Sequence, residues 1–156
     1  MFLPSGQSGV IRRYQAQDLD ALMALWLTTT INAHPFIEQS YWYESEPLVR
    51  DVYIPDATSW VCCENDKIIG FISVMEQQFI GALFVDFSQQ GKGIGKALID
   101  QVKMHYPRLL LEVYRENTHA LQFYLAMGFH IVSEQPHPET EQITLIMQWQ
   151  APLIAA

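Results

Sequence analysis

The chain has 156 residues, of which 49% are hydrophobic and 17% charged, proportions typical of a folded domain and not of a disordered chain. Nine basic against seventeen acidic residues give a net charge of −8, which argues against nucleic acid as a partner because phosphate binding needs a basic face. No apolar run approaches the roughly 18 residues that span a membrane. Because neighbouring strand residues point to opposite faces, Cys62 and Cys63 cannot form an ordinary disulfide with each other, and we expect a cytoplasmic protein with no membrane or nucleic-acid partner.

The first half of the chain reads as a strand followed by helices. Residues 10–14 form the strand, and Asp18 is expected to cap a helix whose apolar face has i, i+3, i+4 and i+7 spacing: Leu19, Leu22, Met23 and Trp26. His34-Pro35 ends this helix, and one or two short helices are predicted over 37–52. We predict a flexible segment at 1–9, a single domain at 10–150 and a tail at 151–156.

The second half alternates strands and helices after a run of three strands. The three strands are predicted at 59–64, 68–75 and 79–86, and the almost wholly apolar third one is expected to be central. A helix at 93–105, a strand at 109–114, a helix from 117 or 118 to Gly128, and strands at 129–133 and 144–149 follow. The order β-α-α-β-β-β-α-β-α-β-β predicts an α/β fold with one mixed sheet flanked by helices. The three consecutive strands disfavour a doubly wound parallel sheet.

A glycine-rich loop lies between the apolar strand and the next helix. Glycines there let several backbone N–H groups point into one concavity, and the helix N-terminus adds its positive dipole end, so the loop suits a pyrophosphate. The dinucleotide fingerprint fails because the closing position is Leu98 or Lys96, and the Walker loop fails at Gln90 and Ala97. The pattern Q/R-x-x-G-x-G/A fits Gln90, Gly93 and Gly95.

A second block strengthens this interpretation. About 22 residues after Gly95 the chain reads Asn117, Ala120, Tyr124 and Gly128-Phe129, similar to the segment N-x-x-A-x-x-x-Y-x-x-x-G-F. In both blocks the chain resembles the GNAT superfamily of N-acetyltransferases, most sharply over 79–129. The resemblance implies the acyl-CoA N-acyltransferase fold, a central, mostly antiparallel mixed sheet flanked by helices. It also implies acetyl-CoA as co-substrate and no metal.

The resemblance also assigns residues to the cofactor and the chemistry. The strand residues Leu83, Phe84 and Val85 would pair with the pantetheine arm, and Asn117 would hydrogen-bond to it. The pyrophosphate loop would consist of Gln90, Gly91, Lys92, Gly93, Ile94, Gly95 and Lys96. Tyr124 would protonate the sulfur of the leaving group, and a role as a core aromatic residue is the less favoured alternative.

The base and the acceptor are less defined by the sequence. Glu112 interrupts an apolar strand, where a charge is costly unless it is hydrated or functional, and its position resembles a glutamate of the enzymes that acetylate ribosomal-protein N-termini. Glu76 and His34 are further candidates for the base. Phe79, His34 and Phe36 are candidates for the acceptor pocket.

Several acceptors, and one other class of function, fit this sequence. A protein lysine side chain comes first, then a protein N-terminus, then a small amine. A non-catalytic acyl-CoA-sensing module is the alternative of another class. A monomer and a homodimer are both compatible with the sequence.

Overall fold

The computed structural model describes residues 9–152. Residues 1–8 of the predicted flexible segment and residues 153–156 of the predicted tail therefore lie outside the described residues. Within residues 9–152, seven strands form one sheet in the order β1-β2-β3-β4-β5-β7-β6. Neighbouring strands are antiparallel except β4 and β5, which are parallel. The strands are β1 (Val10–Arg13), β2 (Thr58–Glu64), β3 (Lys67–Met75), β4 (Phe79–Val85), β5 (Arg108–Tyr114), β6 (His130–Pro136) and β7 (Ile143–Gln150).

Helices cover both faces of this sheet. The helices are α1 (Leu19–Ala33), α2 (Gln39–Leu48), α3 (Ile54–Asp56), α4 (Ile94–Lys103) and α5 (Thr118–Ala126), with a π-type turn at Val49–Tyr53 between α2 and α3. The predicted mixed sheet, its element order and the central position of the apolar strand β4 are confirmed. None of the helices among residues 9–152 is long and apolar enough to cross a membrane.

The sheet separates two apolar cores because successive strand residues point to opposite faces. One core joins α4 and α5 to the sheet and includes the fully buried Leu98, Leu109 and Met147. The other joins α1 and α3 to the opposite face around Leu22 and Phe71. A strand that is covered on both faces needs apolar residues at consecutive positions, which explains the composition of β3 and β4.

Asp18 does not cap the first helix in the way the sequence suggested. Its side chain makes no capping hydrogen bond to α1. Instead its carboxylate accepts two hydrogen bonds from the Arg12 guanidinium, at 2.8 and 2.9 Å, and one from the backbone N–H of Gln15 at 2.8 Å. Asp18 therefore ties the end of β1 to the start of the helical layer.

We expect Asp18→Asn to lower the free energy of unfolding by about 2 kcal/mol, because it breaks a bidentate pair that includes a buried carboxylate. The hydrogen bonds from Arg12 hold the pKa of Asp18 below its usual value. The stabilisation is therefore fully present above the ordinary aspartate pKa of about 3.9 and is lost as the pH falls through the lower, folded-state value. Thermal melts of the wild type and of Asp18→Asn between pH 3 and 7 measure the difference in stability.

Asp20→Asn is the matched control for this prediction. Asp20 also pairs with an arginine, Arg50, but its side chain is 92% exposed, so its loss should move the melting temperature by only about 1–2 °C. Equal shifts for the two variants, or a shift for Asp18→Asn that does not diminish at acidic pH, would contradict the assignment.

Candidate active site

The centre of the sheet opens between β4 and β5. All residues of the two strands lie within the described part of the chain, and there the strands pair only at Phe79↔Leu110 and Ile80↔Leu111 and then separate. The opening is the mouth of a groove of about 750 Å³, called the central groove here, which is lined by Gly81–Val85 of β4 and Leu111–Tyr114 of β5. Residues of α1 and α2 line one part of it, and residues of α4 and α5 line the other. The groove therefore joins the two faces of the sheet.

The glycine loop forms one wall of the central groove. Gly93, the N-cap of α4, has a left-handed backbone (φ 82°) and supplies no capping side chain, which leaves the first N–H groups of the helix available to a ligand. A Cβ atom at Gly93 would meet no other atom within 4 Å, so the space in front of the loop is open. Gln90 Nε2 donates to the carbonyl of Val85 at 3.2 Å and fixes the loop against the end of β4. This wall has the form of an anion site, which is what a pyrophosphate-binding loop requires.

We expect Gly93→Ala to weaken acetyl-CoA binding about tenfold or more, because an L-residue at this φ distorts the backbone that presents the N–H groups. Isothermal titration calorimetry measures the change in affinity. Gly128→Ala is the matched control, since Gly128 has a similar φ of 92° but does not line the central groove. Both variants should lose some stability, and an equal loss of affinity in the two would contradict the assignment of the loop.

Two residues of the second sequence block face the central groove from α5. Asn117 caps the helix, because its side-chain oxygen accepts a hydrogen bond from the N–H of Ala120 at 3.3 Å, and Tyr124 lies two turns further along. Both line the groove. Tyr124 packs against Phe123 and Phe129, and its hydroxyl makes no hydrogen bond within residues 9–152. Burial raises the pKa of Tyr124, so the residue keeps its proton at neutral pH and can donate it.

Glu112 lies on β5 at the wall opposite β4. Its side chain is exposed toward the central groove, and Thr144 of the neighbouring strand β7 donates a hydrogen bond to Oε2 at 2.6 Å. Thr144 is itself buried, so the carboxylate is held in one orientation by a fixed donor. The arrangement suits a carboxylate that accepts a proton from a substrate or from a water molecule.

Aromatic rings close the end of the groove that α1 and α2 line. The imidazole of His34 contacts the rings of Phe36, Trp42 and Tyr114, with centroids 5.1 to 5.6 Å apart. Tyr41 packs on Trp42 at 4.9 Å, and its hydroxyl lies 3.5 Å from Glu139 Oε1 on the β6–β7 connection. Burial lowers the pKa of His34, so this histidine is neutral at neutral pH.

The structure brings most of the sequence-predicted site residues together, but three lie elsewhere. Lys92 turns aside to donate to Gln89 Oε1 at 3.3 Å. Phe79 lies where β4 and β5 are still paired, before the opening, and Phe36 packs against His34 and Tyr114 without lining the groove. Those that do line the central groove are His34, Leu83, Phe84, Val85, Gln90, Gly91, Gly93, Ile94, Gly95, Lys96, Glu112, Asn117 and Tyr124. Glu76, the further candidate for the base, lies in the exposed β3–β4 turn.

Sequence reasoning missed several residues that line the central groove. Thr30 of α1, Trp42 of α2, Tyr114 of β5 and His119 of α5 all line the central groove. Trp42 could have been found from the unusual density of aromatic residues at 36–43, which a simple core does not require. Thr30 carries no signal of its own, because it follows two other threonines and the sequence does not show which of the three hydroxyls faces a groove. Residues 9–152 contain no group of three or more His, Cys, Asp or Glu residues placed to hold a metal ion.

Comparison with known proteins decides the family. Residues 34–149 match the family model described as "Acetyltransferase (GNAT) domain". The chain belongs to the GNAT family. It is therefore an acetyl-CoA-dependent N-acetyltransferase, as the resemblance in the two sequence blocks predicted.

Named relatives and a solved structure agree with the family assignment. The chain is 46% identical over 140 residues to the peptidyl-lysine N-acetyltransferase YiaC of Escherichia coli K12, which covers 90% of this chain and 96% of that protein. It is 34% identical over 122 residues to the peptidyl-lysine N-acetyltransferase YjaB of Salmonella typhimurium, covering 78% and 83%. The solution structure of apo-form YjaB from Escherichia coli superposes with a TM-score of 0.80 at 27% identity, over 94% of this chain and 100% of that one.

Proposed function

We propose that this GNAT acetyltransferase transfers the acetyl group to the side-chain amine of lysine residues in proteins. The observation that carries the proposal is the 46% identity, along nine-tenths of the chain, to a peptidyl-lysine N-acetyltransferase. The central groove supports it, because one groove lined from both helical layers lets acetyl-CoA and a separate acceptor approach the same point from opposite faces of the sheet. Residues 10–150 supply the whole catalytic unit in this proposal.

Two parts of the central groove would hold acetyl-CoA: the glycine loop, which binds the pyrophosphate, and the edge of β4 that does not pair with β5. The loop from Gln90 to Lys96 holds the pyrophosphate with its backbone N–H groups. Beyond Ile80 the edge of β4 no longer pairs with β5, so the backbone of Leu83 and Val85 is free to pair with the pantetheine arm as a neighbouring strand would. Acetyl-CoA supplies an activated acyl carbon and a thiolate leaving group.

On the chemical side, the acceptor amine must first lose a proton, since an ammonium ion has no lone pair and a lysine amine has a pKa of about 10.4. Glu112 takes this proton, directly or through one water molecule. The amine nitrogen then bonds to the acyl carbon, the carbon–sulfur bond breaks, and Tyr124 protonates the departing sulfur. The nitrogen is positively charged after the attack and releases its second proton to water, and Tyr124 regains a proton from water. Two groups that line one groove thus each handle one proton of the reaction.

An acceptor panel tests the proposal. The purified protein is incubated with acetyl-CoA and one of three acceptors: a lysine peptide with a blocked N-terminus, a lysine-free peptide with a free N-terminus, and spermidine. Mass spectrometry should find an added acetyl group on the lysine peptide at a rate at least tenfold above the other two. Preference for the free N-terminus or for spermidine would instead support one of the other acceptors. If none of the three acceptors is acetylated while acetyl-CoA still raises the melting temperature, the result would support a non-catalytic sensing module.

A further inference from the structure

Two polar groups at the acceptor end of the central groove have no hydrogen-bond partner. Among the buried side-chain nitrogen and oxygen atoms of residues 9–152, these are Thr30 Oγ1 and Trp42 Nε1. Thr30 is 1% exposed, and both residues line the groove. Leaving a buried donor or acceptor unpaired costs about 1–3 kcal/mol, so both groups require an explanation.

The two threonines before Thr30 show what a threonine hydroxyl in this helix ordinarily does, which is to donate to the backbone carbonyl four residues earlier. In the same helix, the hydroxyl of Thr28 donates to the carbonyl of Ala24 at 3.0 Å, and that of Thr29 donates to the carbonyl of Leu25 at 2.7 Å. Thr30 is the third of three consecutive threonines and makes no such bond. Its hydroxyl is therefore left for another partner at the end of the groove.

His34 adds a third polar atom of defined character. Its Nδ1 lies 2.8 Å from the carbonyl oxygen of Thr30, and because a carbonyl only accepts, Nδ1 carries the proton. The other nitrogen, Nε2, is then an acceptor, and its one contact is a long one of 3.5 Å to the side-chain amide of Asn117. The imidazole packs against the ring of Trp42 with the centroids 5.1 Å apart, so the three residues form one cluster.

The cluster offers one fixed donor (the indole N–H of Trp42), one fixed acceptor (His34 Nε2) and one hydroxyl that can do either. A peptide group presents one N–H and one carbonyl oxygen, which is the complementary set. On the basis of the proposed lysine acceptor, we propose that Thr30, His34 and Trp42 form a subsite for a peptide group next to the acceptor lysine. The subsite makes the enzyme prefer lysine within a polypeptide to a free alkylamine.

The closed position of the cluster contributes to this selectivity. Thr30 Oγ1 and Trp42 Nε1 are shut off from solvent, and the ring of Tyr41 packs on Trp42. A peptide group therefore reaches the two atoms only when the side chains around them rearrange, and in this proposal its hydrogen bonds compensate for that rearrangement. An alkylamine has no carbonyl for the indole N–H and gains nothing from the rearrangement.

The test compares two acceptors with the same reacting amine. Nα-acetyl-lysine N-methylamide carries a peptide group on each side of the lysine, and n-butylamine is the lysine side chain without any. Trp42→Phe keeps an aromatic ring and removes the N–H, and Thr30→Val keeps the shape and removes the hydroxyl. Each should lower kcat/KM for the peptide acceptor about tenfold and leave kcat/KM for n-butylamine within twofold of wild type. Thr28→Val, on the exposed side of α1, is the control and should change neither.

A second measurement separates this role from a structural one. Thr30→Val keeps the volume and removes an unpaired buried hydroxyl, so it should not lower the melting temperature by more than about 2 °C. Trp42→Phe also removes ring atoms that pack on Trp26 and Tyr41, so a larger fall is expected for that variant alone. Equal losses for both acceptors, no loss for the peptide acceptor, or a large fall in melting temperature in both variants would overturn the subsite and leave the proposed function intact. Failure of the wild-type protein to acetylate either acceptor would overturn both proposals.

Discussion

Replacing Tyr124 with phenylalanine should lower kcat for acetyl transfer by roughly 100- to 10,000-fold, the range expected when a positioned general acid is lost. The hydroxyl is the only group removed, and it makes no hydrogen bond within residues 9–152 that would be broken. Acetyl-CoA affinity should therefore stay within about twofold of wild type. Steady-state kinetics on the lysine peptide and calorimetry with acetyl-CoA measure the two quantities.

Tyr106→Phe is the matched control for Tyr124. Tyr106 packs against the same core and makes an edge contact with Trp60 at 6.4 Å, but it does not line the central groove. Its loss should leave kcat within about twofold of wild type. If Tyr124→Phe retained most of its turnover, or lost turnover in proportion to acetyl-CoA affinity, Tyr124 would be a packing residue and another group would protonate the sulfur.

Replacing Glu112 with glutamine should lower kcat/KM for the lysine peptide by roughly 100-fold at pH 7, because an amide cannot take a proton from the acceptor amine. The deficit should shrink as the pH approaches 10, where a growing fraction of the free amine is already deprotonated in solution. A pH–rate profile of wild type and variant between pH 7 and 10 tests both expectations. The hydrogen bond from Thr144 predicts a smaller loss for Thr144→Val, which keeps the carboxylate but removes the donor that orients it.

Glu116→Gln is the control for charge alone. Glu116 is an exposed carboxylate four residues away that does not line the central groove, and its neutralisation should have little effect on the rate. A deficit of Glu112→Gln that stays constant with pH would indicate that Glu112 positions the acceptor and does not remove its proton. A similar deficit in both variants would indicate a general electrostatic effect of the acidic protein.

Most residues that the sequence assigned to the cofactor line the central groove, because this part of the groove is built from local chain geometry. The loop from Gln90 to Lys96 needs glycines where the backbone is left-handed, as at Gly91 and Gly93, and such a requirement is visible in the sequence itself. Asn117 and Tyr124 are seven residues apart on one helix, so their common face also follows from helical periodicity.

The acceptor half could not be predicted in the same way because it is assembled from residues distant in sequence. His34 and Asn117, for example, come together only because α1 and α5 approach the gap between β4 and β5 from opposite faces. The prediction for Phe79 missed the groove because the sequence does not indicate where two parallel strands cease to pair. The interpretation of Asp18 as a helix cap missed Arg12, whose guanidinium competes for the same carboxylate.

The sequence alone thus predicted the family and the order of strands and helices, since both follow from motifs and periodicities along the chain, and it led to the proposal of a pyrophosphate loop from Gln90 to Lys96. The tertiary structure decided where β4 and β5 separate, which polar groups face the opening, and which of them stay unpaired. These features depend on side-chain packing across the sheet, where a shift of one residue in strand register exchanges one face for the other. For that reason Thr30 and Trp42, which have no motif, become candidates for acceptor recognition only in the folded chain.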